Sequence, residues 1–253
     1  MSPTRTFATW AVAMVLAATA ATASVSSSPA ASAPRQGELF VVLAVPGVTY
    51  AVEVDGEEKG EAGVGEVFGP FALPSGEHTV RFVPGQGQPL TATVTVRPDR
   101  SSDLVLHLPA EDGGDPVADI YQVSTTALAP DTARVLVAHT ATVPPADVRV
   151  DGKTVFENIA NGEFAVADVP AGPHSAELVP AGTTQDPILG PLDVDLPAGT
   201  VTMVYAVGSP QNGSMNVITH QEQARTASTV RPRVIATGTA GLVRWHPVTF
   251  GAG

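Results

Sequence analysis

The sequence predicts an all-β protein, two tandem antiparallel β-sandwich (Ig-like) domains behind a signal peptide. Three observations carry that expectation. Many short apolar runs are separated by Gly and Pro, of which the chain has 24 and 23. Two stretches of the chain repeat one turn grammar. The N-terminus opens on a basic residue followed by an uncharged apolar run.

The repeat is clearest in residues 147–182. There Asp151-Gly152 joins Val148-Arg149-Val150 to Lys153-Thr154-Val155-Phe156. Asp-Gly between alternating runs is the favoured signal for a type I′ hairpin, which needs φ > 0 at both central residues. Val169-Pro170-Ala171-Gly172 fits a type I turn with Gly at the left-handed position, and the strand after it stops at Pro180, which cannot donate to a ladder. The earlier stretch answers with Asp55-Gly56, Leu73-Pro74-Ser75-Gly76 and Pro84. The pairs Asp55/Asp151, Pro74/Pro170, Gly76/Gly172, His78/His174 and Pro84/Pro180 share one offset of 96, which reads as a duplicated domain.

Taken in order, Arg5, the apolar run from Phe7 to Ala21 and the small residues Ala21-Thr22-Ala23 read as a secretory signal peptide over 1–23. An uncleaved anchor is the alternative, although the run falls short of the ~20 residues that a membrane span needs. Residues 24–36 read as a flexible spacer. The first sandwich is expected over 37–109, with strands at 40–45, 50–54, 79–83, 91–96 and 103–108. Residues 110–131, opening on Glu111-Asp112-Gly113-Gly114-Asp115-Pro116, are expected to be a linker, with one further strand conceivable around 120–123. The second sandwich is expected over 132–220, with strands at 134–139, 148–150, 154–156, 164–167, 175–179, 192–196 and 201–207. Asn212-Gly213 then turns the chain into a last strand at 215–219. Residues 221–253 form a basic C-terminal tail. Its stretch 231–250 is expected to dock as extended structure on the second sandwich, a free tail being the alternative.

Composition removes several classes of function. The chain has no cysteine, so disulfides, thiol catalysis and Cys-based zinc sites are excluded. It carries −12, and once Arg5 and the tail (four Arg, one Glu) are set aside the remainder stands at −16. So acidic a body argues against nucleic acid and anionic membrane surfaces as partners. No integral membrane segment is expected after signal cleavage.

Candidate site residues read better as structure than as chemistry. His78 and His174 follow the same Pro-x-Gly turn in each copy, so turn geometry explains them better than metal ligation. His139 closes a strand without an Asp, Glu or His at metal-ligand spacing. The acidic run from Asp55 to Glu61, with Glu66 nearby, reads as a solvated hairpin tip, since no loop has calcium-binding spacing. Glu111, Asp112, Asp115 and Asp119 offer an alternative reading as an inter-domain calcium site. Leu196-Pro197-Ala198-Gly199-Thr200 superficially resembles a sortase signal but is a turn, and Asn212-Gly213-Ser214 serves better as a hairpin than as a glycan site. No hydrolase, zincin, phosphate-loop or dinucleotide motif appears, so no catalytic, cofactor-binding or metal residue is expected, and the chain is not expected to be an enzyme.

The segments ARVLVAHTATVPPADVRVDGKTVF, VPAGPHSAELVPAG and LPAGTVTMVYAVG resemble a family of bacterial exported repeats catalogued only as a domain of unknown function. Its members run VHAS-P, VDVYVDG, LPAGxHxVxVxPAG and LxAGxxYTVxxxG. The resemblance spans 132–220 and implies an extracellular β-sandwich, often in tandem, without an established activity. It departs at His139-Thr140-Ala141-Thr142, where the family carries a Ser-Pro-Asp loop, so no role of that loop carries over. The first domain is similar to the same repeat and also to PEGA modules, which share VxVDGxxxG and LPxGxHxVxV and imply a surface β-domain of envelope proteins. The expectation is therefore a secreted or cell-envelope, non-enzymatic interaction module whose partner is an envelope or extracellular protein or a glycan. The alternatives are a structural spacer and a polysaccharide-binding accessory protein. Sugar sites present aromatic rows, and only Tyr50, Tyr121, Tyr205 and Trp245 stand outside the signal peptide and apart from Phe.

Overall fold

The computed structural model describes residues 35–98, 100–183 and 186–225. The expected signal peptide and the expected docking of 231–250 lie outside the described residues. The first sandwich consists of β1 (Gln36–Leu43), β2 (Tyr50–Val54), β3 (Glu57–Ala62), β4 (Val67–Pro74), β5 (Gly76–Pro84), β6 (Leu90–Val96), β7 (Arg100–His107) and β8 (Val117–Ser124). The second consists of β9 (Thr132–His139), β10 (Ala146–Val150), β11 (Lys153–Ile159), β12 (Phe164–Pro170), β13 (Gly172–Pro180), β14 (Leu189–Leu196), β15 (Thr200–Val207) and β16 (Asn216–Gln223). Sheets β4-β1-β7-β8 and β3-β2-β5-β6 in the first are matched by β12-β9-β15-β16 and β11-β10-β13-β14 in the second. Each strand thus has its counterpart eight strands later. All pairings are antiparallel except β1 with β7 and β9 with β15.

The strand registers extend the duplication beyond Pro84/Pro180. Val80 faces Ala92 and Ala176 faces Leu192, so the offset grows from 96 to 100 between the fifth and sixth strands. Ser101 lies opposite Glu38 and Val201 opposite Arg134, which keeps 100. Asp103 faces Tyr121 and Met203 faces His220, which makes the last offset 99. Every core position of one sandwich can therefore be compared with its counterpart.

Three strands depart from expectation. The stretch 110–131, expected as a linker, contains β8, which pairs along β7 from His107↔Val117 to Arg100↔Ser124. Its buried face is only Tyr121 and Val123, too little alternation to stand out. β3, Glu-Glu-Lys-Gly-Glu-Ala, is an edge strand whose one buried residue is Ala62. β4 has Gly69-Pro70 in its middle and is also an edge, where Pro is tolerated.

The Asp-Gly turns follow the sequence, whereas Asn212-Gly213 does not form a two-residue hairpin turn: Pro210–Asn212 is a 3-10 turn that Gly213 caps at φ 66° before β16. Asp55 and Asp151 both sit at φ 52°, with Gly56 at 80° and Gly152 at 74°. Gly76 (149°) and Gly172 (130°) are positive as expected but lie outside the compact left-handed well, because β5 and β13 begin at these residues and the backbone is already extended. A Cβ on Gly56 or Gly152 meets nothing within 4 Å, so any loss on substitution is backbone strain. Gly152→Val and Gly56→Val are each expected to cost about 1–3 kcal/mol. Thermal melts read this directly, and unchanged stability in both would overturn the turn assignment.

Four layers result. One core fills the space between the two sheets of the first sandwich, a smaller one that of the second, and a third joins β4-β1-β7-β8 to β12-β9-β15-β16. The middle core is made by Val42, Val105, Tyr121 and Val123 from one side and Leu136, Ala138, Val201, Met203, Tyr205 and Ile218 from the other. The two sandwiches therefore share buried apolar surface rather than standing apart.

Candidate functional site

Counterpart positions show where the sandwiches differ. Fourteen buried residues form the first core and only five the second. Tyr50, Val80, Phe82, Leu104 and Leu106 of the first answer to Ala146, Ala176, Leu178, Val204 and Ala206 of the second, and Leu39, Phe71 and Leu73 answer to Val135, Ala167 and Val169. Ala92→Leu192 and Val96→Leu196 run the other way but restore only part of the lost volume. Large-to-small replacement in a core leaves space that the backbone only partly closes. The second sandwich accordingly holds a cavity of about 700 Å³ between its sheets, within the size range of ligand sites. Val137, Val148, Leu178, Leu192, Val204 and Ala206 line it, and Asp151, Lys153, Glu177, Asp193 and Asp195 stand at its rim. Its largely apolar lining suits a hydrocarbon or apolar peptide side chains.

A second feature lies between the sandwiches. The wholly buried Asp103 carboxylate accepts the Tyr205 hydroxyl at 2.8 Å and His220 Nδ1 at 2.8 Å. The Phe40 ring lies 3.9 Å from the His220 ring, and Glu222 Oε1 is 3.9 Å from His220 Nε2. The counterparts of Ser101, Asp103, Tyr205, His220 and Glu222 are Val201, Met203, Val105, Tyr121 and Val123. One pole of this pseudo-symmetric interface is therefore polar and the other apolar. Burial alone would depress the His220 pKa, but the Asp103 carboxylate outweighs it and the ring is shifted up. Burial raises Glu222, with the neighbouring imidazolium offsetting part of the effect. Buried side chains that take each other's charge hold the two sheets in one register, and Phe40 and Glu222 also border a cleft of about 530 Å³ shared with Glu38, Arg100 and Gln223.

The residues singled out from sequence fall as follows. His78 bridges Asp55 Oδ2 (2.7 Å) and the Pro74 carbonyl (2.7 Å), and His174 bridges Asp151 Oδ2 (2.8 Å) and the Pro170 carbonyl (3.0 Å). Each ring clasps its hairpin tip to the preceding turn. Both nitrogens face acceptors, so both donate. His139 is buried, its Nε2 donating to the Pro144 carbonyl at 3.3 Å, and burial lowers its pKa. Glu57 pairs with Lys59, Glu66 accepts from the Gly63 amide, and Asp119 pairs with the buried His107 at 2.9 Å. Among the described residues no three His, Cys, Asp or Glu side chains converge as a metal site, and no helix is long and apolar enough to cross a membrane.

These ionisations set a pH window. For His78, burial lowers the pKa, but Asp55 and the Pro74 carbonyl raise it further; for His174 the Asp151 contact leads and the shift is again upward. Their contribution, like that of His220, is complete below the ordinary His value of 6.5 and is lost as pH rises through the folded value. Asp55 and Asp151 are lowered first by these His contacts, and Asp147 by the Asn158 and Gly182 amides, so their contribution fails as pH falls below about 3.8. His139 opposes the trend at the acid end. The melting temperature is expected to peak between the carboxylate and His values and to decline toward pH 8. A melting series that climbs into the alkaline range would contradict the clasps.

Fold and site define a tandem β-sandwich protein with one filled and one hollow member. Residues 136–243 match the family described as Domain of unknown function (DUF4397), less than half of the chain and none of the first sandwich. No curated protein matches. Among solved structures the chain is similar to "The Bacillus anthracis TIE protein", at 12% identity and a TM-score of 0.22, over 69% of this chain and 33% of that one. The chain thus spans about a third of that structure's length.

Proposed function

We propose that the chain is an exported, non-enzymatic interaction module of the cell envelope or extracellular space, in which the first sandwich is scaffold and the second receives an apolar segment. The single observation that carries this is the contrast between the filled and hollow sandwiches on one topology. Export is supported by Arg5, the apolar run and Ala21-Thr22-Ala23. N-terminal sequencing of the native protein is expected to begin near Ser24, and an intact Met1 on a cytosolic protein would contradict it. The first sandwich is read as a diverged copy of the same repeat rather than a PEGA module, since all eight strands find a counterpart. A spacer role is the second reading, favoured by the apolar core that joins the sandwiches. The sugar-binding alternative is not favoured, because Tyr50, Tyr121 and Tyr205 are buried.

Retention of native envelope components decides the matter. The parent and a variant with Ala176→Val, Leu178→Phe and Ala206→Leu, which transplants the filled core, are compared on the same extract. Binding lost with the filled core supports the module. Equal binding by both would place the interaction elsewhere.

A further inference from the structure

We propose that residues 231–250 of this same chain are the resident occupant of the hollow in the second sandwich. The inference rests on the reading of that sandwich as the receiving module and names what it receives. An apolar hollow left to water is costly, so a chain that builds one ordinarily supplies or recruits something to fill it.

Four observations point to the tail. The first is chemical: Val234, Ile235, Leu242, Val243, Trp245 and Phe250 are the apolar residues of a stretch that follows the last strand. They suit a cavity lined by Val137, Val148, Leu178, Leu192, Val204 and Ala206. The second is charge. Asp151, Glu177, Asp193 and Asp195 stand at the rim against Lys153 and His174, the latter already paired with Asp151, whereas the tail carries Arg231, Arg233 and Arg244 and no acid after Glu222. The same rim disfavours a free fatty acid, whose carboxylate would meet those acids.

The third is position. Near its last described residues the Gln221 side chain reaches the Asp195 carbonyl at 3.5 Å, and the Ala224 amide donates to the Gly199 carbonyl at 2.8 Å. The end of β16 therefore runs beside β14, where Leu192, Asp193, Val194, Asp195 and Leu196 border the cavity, and the last described residue, Arg225, is held by the Thr125 carbonyl at 2.7 Å. At about 3.3 Å per residue, the remaining stretch reaches the hollow many times over. The fourth is independent of the structure: the family match runs to residue 243, well beyond Gln223, so the unit that recurs among relatives includes the start of this stretch. In the first sandwich the counterpart positions Tyr50, Phe82, Leu104 and Leu106 fill the space from within, and no such occupant is required.

The full chain carrying Trp10→Phe makes Trp245 the only tryptophan. Its native emission is expected to lie to the blue of the urea-unfolded chain and to resist iodide quenching. Adding Ala176→Val, Leu178→Phe and Ala206→Leu should move it to the unfolded position while far-UV circular dichroism keeps the β spectrum. Should that variant fail to fold, the chain ending at Arg225 serves instead and must gain binding of anilinonaphthalene sulfonate over its parent. A buried Trp245 that ignores the filled core, or truncation without dye gain, overturns the proposal. An exposed Trp245 together with dye binding that the filled core abolishes also overturns it, but leaves the receiving module standing with an external lipid or partner peptide as occupant. An exposed Trp245 with no dye binding in either protein ends both readings.

Discussion

Replacing Asp103 by Leu is expected to destabilise the protein by about 3–5 kcal/mol, because it strips the partner from a buried charge. The carboxylate is wholly buried and accepts both Tyr205 and His220 at 2.8 Å. Without it the imidazolium is left with Glu222, at 3.9 Å, and the more weakly acting Glu38, and the Tyr205 hydroxyl loses its bond. The rest of the interface shows that charge is not needed for packing there, since Met203, Val105, Tyr121 and Val123 occupy the counterpart positions. Replacing the set together (Asp103→Met, Tyr205→Phe, His220→Phe, Glu222→Val) should therefore fall within about 1–2 kcal/mol of the parent, as swaps of whole buried ion clusters for apolar groups often do. Denaturant titrations of both variants test the pair. A single-substitution loss under about 1 kcal/mol would mean that water reaches the cluster and relieves the desolvation. Equal losses in both variants would show instead that packing geometry, not the uncompensated charge, dominates.

Much of the fold could be read from residues because its punctuation is local. Asp55-Gly56 and Asp151-Gly152 fix two hairpins through backbone conformation alone, and Pro84 and Pro180 end strands for lack of a donor. β3 and β8 were less legible, since β3 and the outer half of β8 carry little alternation and their pairing is decided by neighbours distant in sequence. The His clasps were half legible: the shared position after a turn was visible, the carboxylate 23 residues upstream was not. The Asp103 cluster was out of reach because its residues lie beyond the insertion after Pro84/Pro180, at offsets of 100 and 99. The hollow was half legible, since Tyr50/Ala146, Val80/Ala176 and Phe82/Leu178 share the offset of 96 but only strand pairing shows that they face one core. Following the repeat through that insertion would have set Leu106 against Ala206 and Asp103 against Met203, and hence shown one copy losing volume and the other gaining charge.

The other large effect expected is an asymmetry between the two cores. Phe82→Ala in the first sandwich should cost about 3–5 kcal/mol, because a fully buried ring leaves a void among Val52, Val80, Val94 and Leu104 that strands on both sides hold open. Its counterpart Leu178 already borders about 700 Å³ of space, so Leu178→Ala removes fewer contacts and should cost about 2 kcal/mol or less. Filling should run the opposite way: Ala206→Leu adds apolar volume where the first sandwich has Leu106, and in the chain ending at Arg225 it should add about 0.5–2 kcal/mol. In the full chain the same substitution competes with whatever already occupies the hollow, and the gain should shrink or reverse. Because the sandwiches share the core around Tyr121, Met203 and Tyr205, both should unfold in one transition, which allows the comparison on a single scale. Equal losses for Phe82→Ala and Leu178→Ala would mean that the second sandwich is as tightly filled as the first and that there is no hollow to occupy.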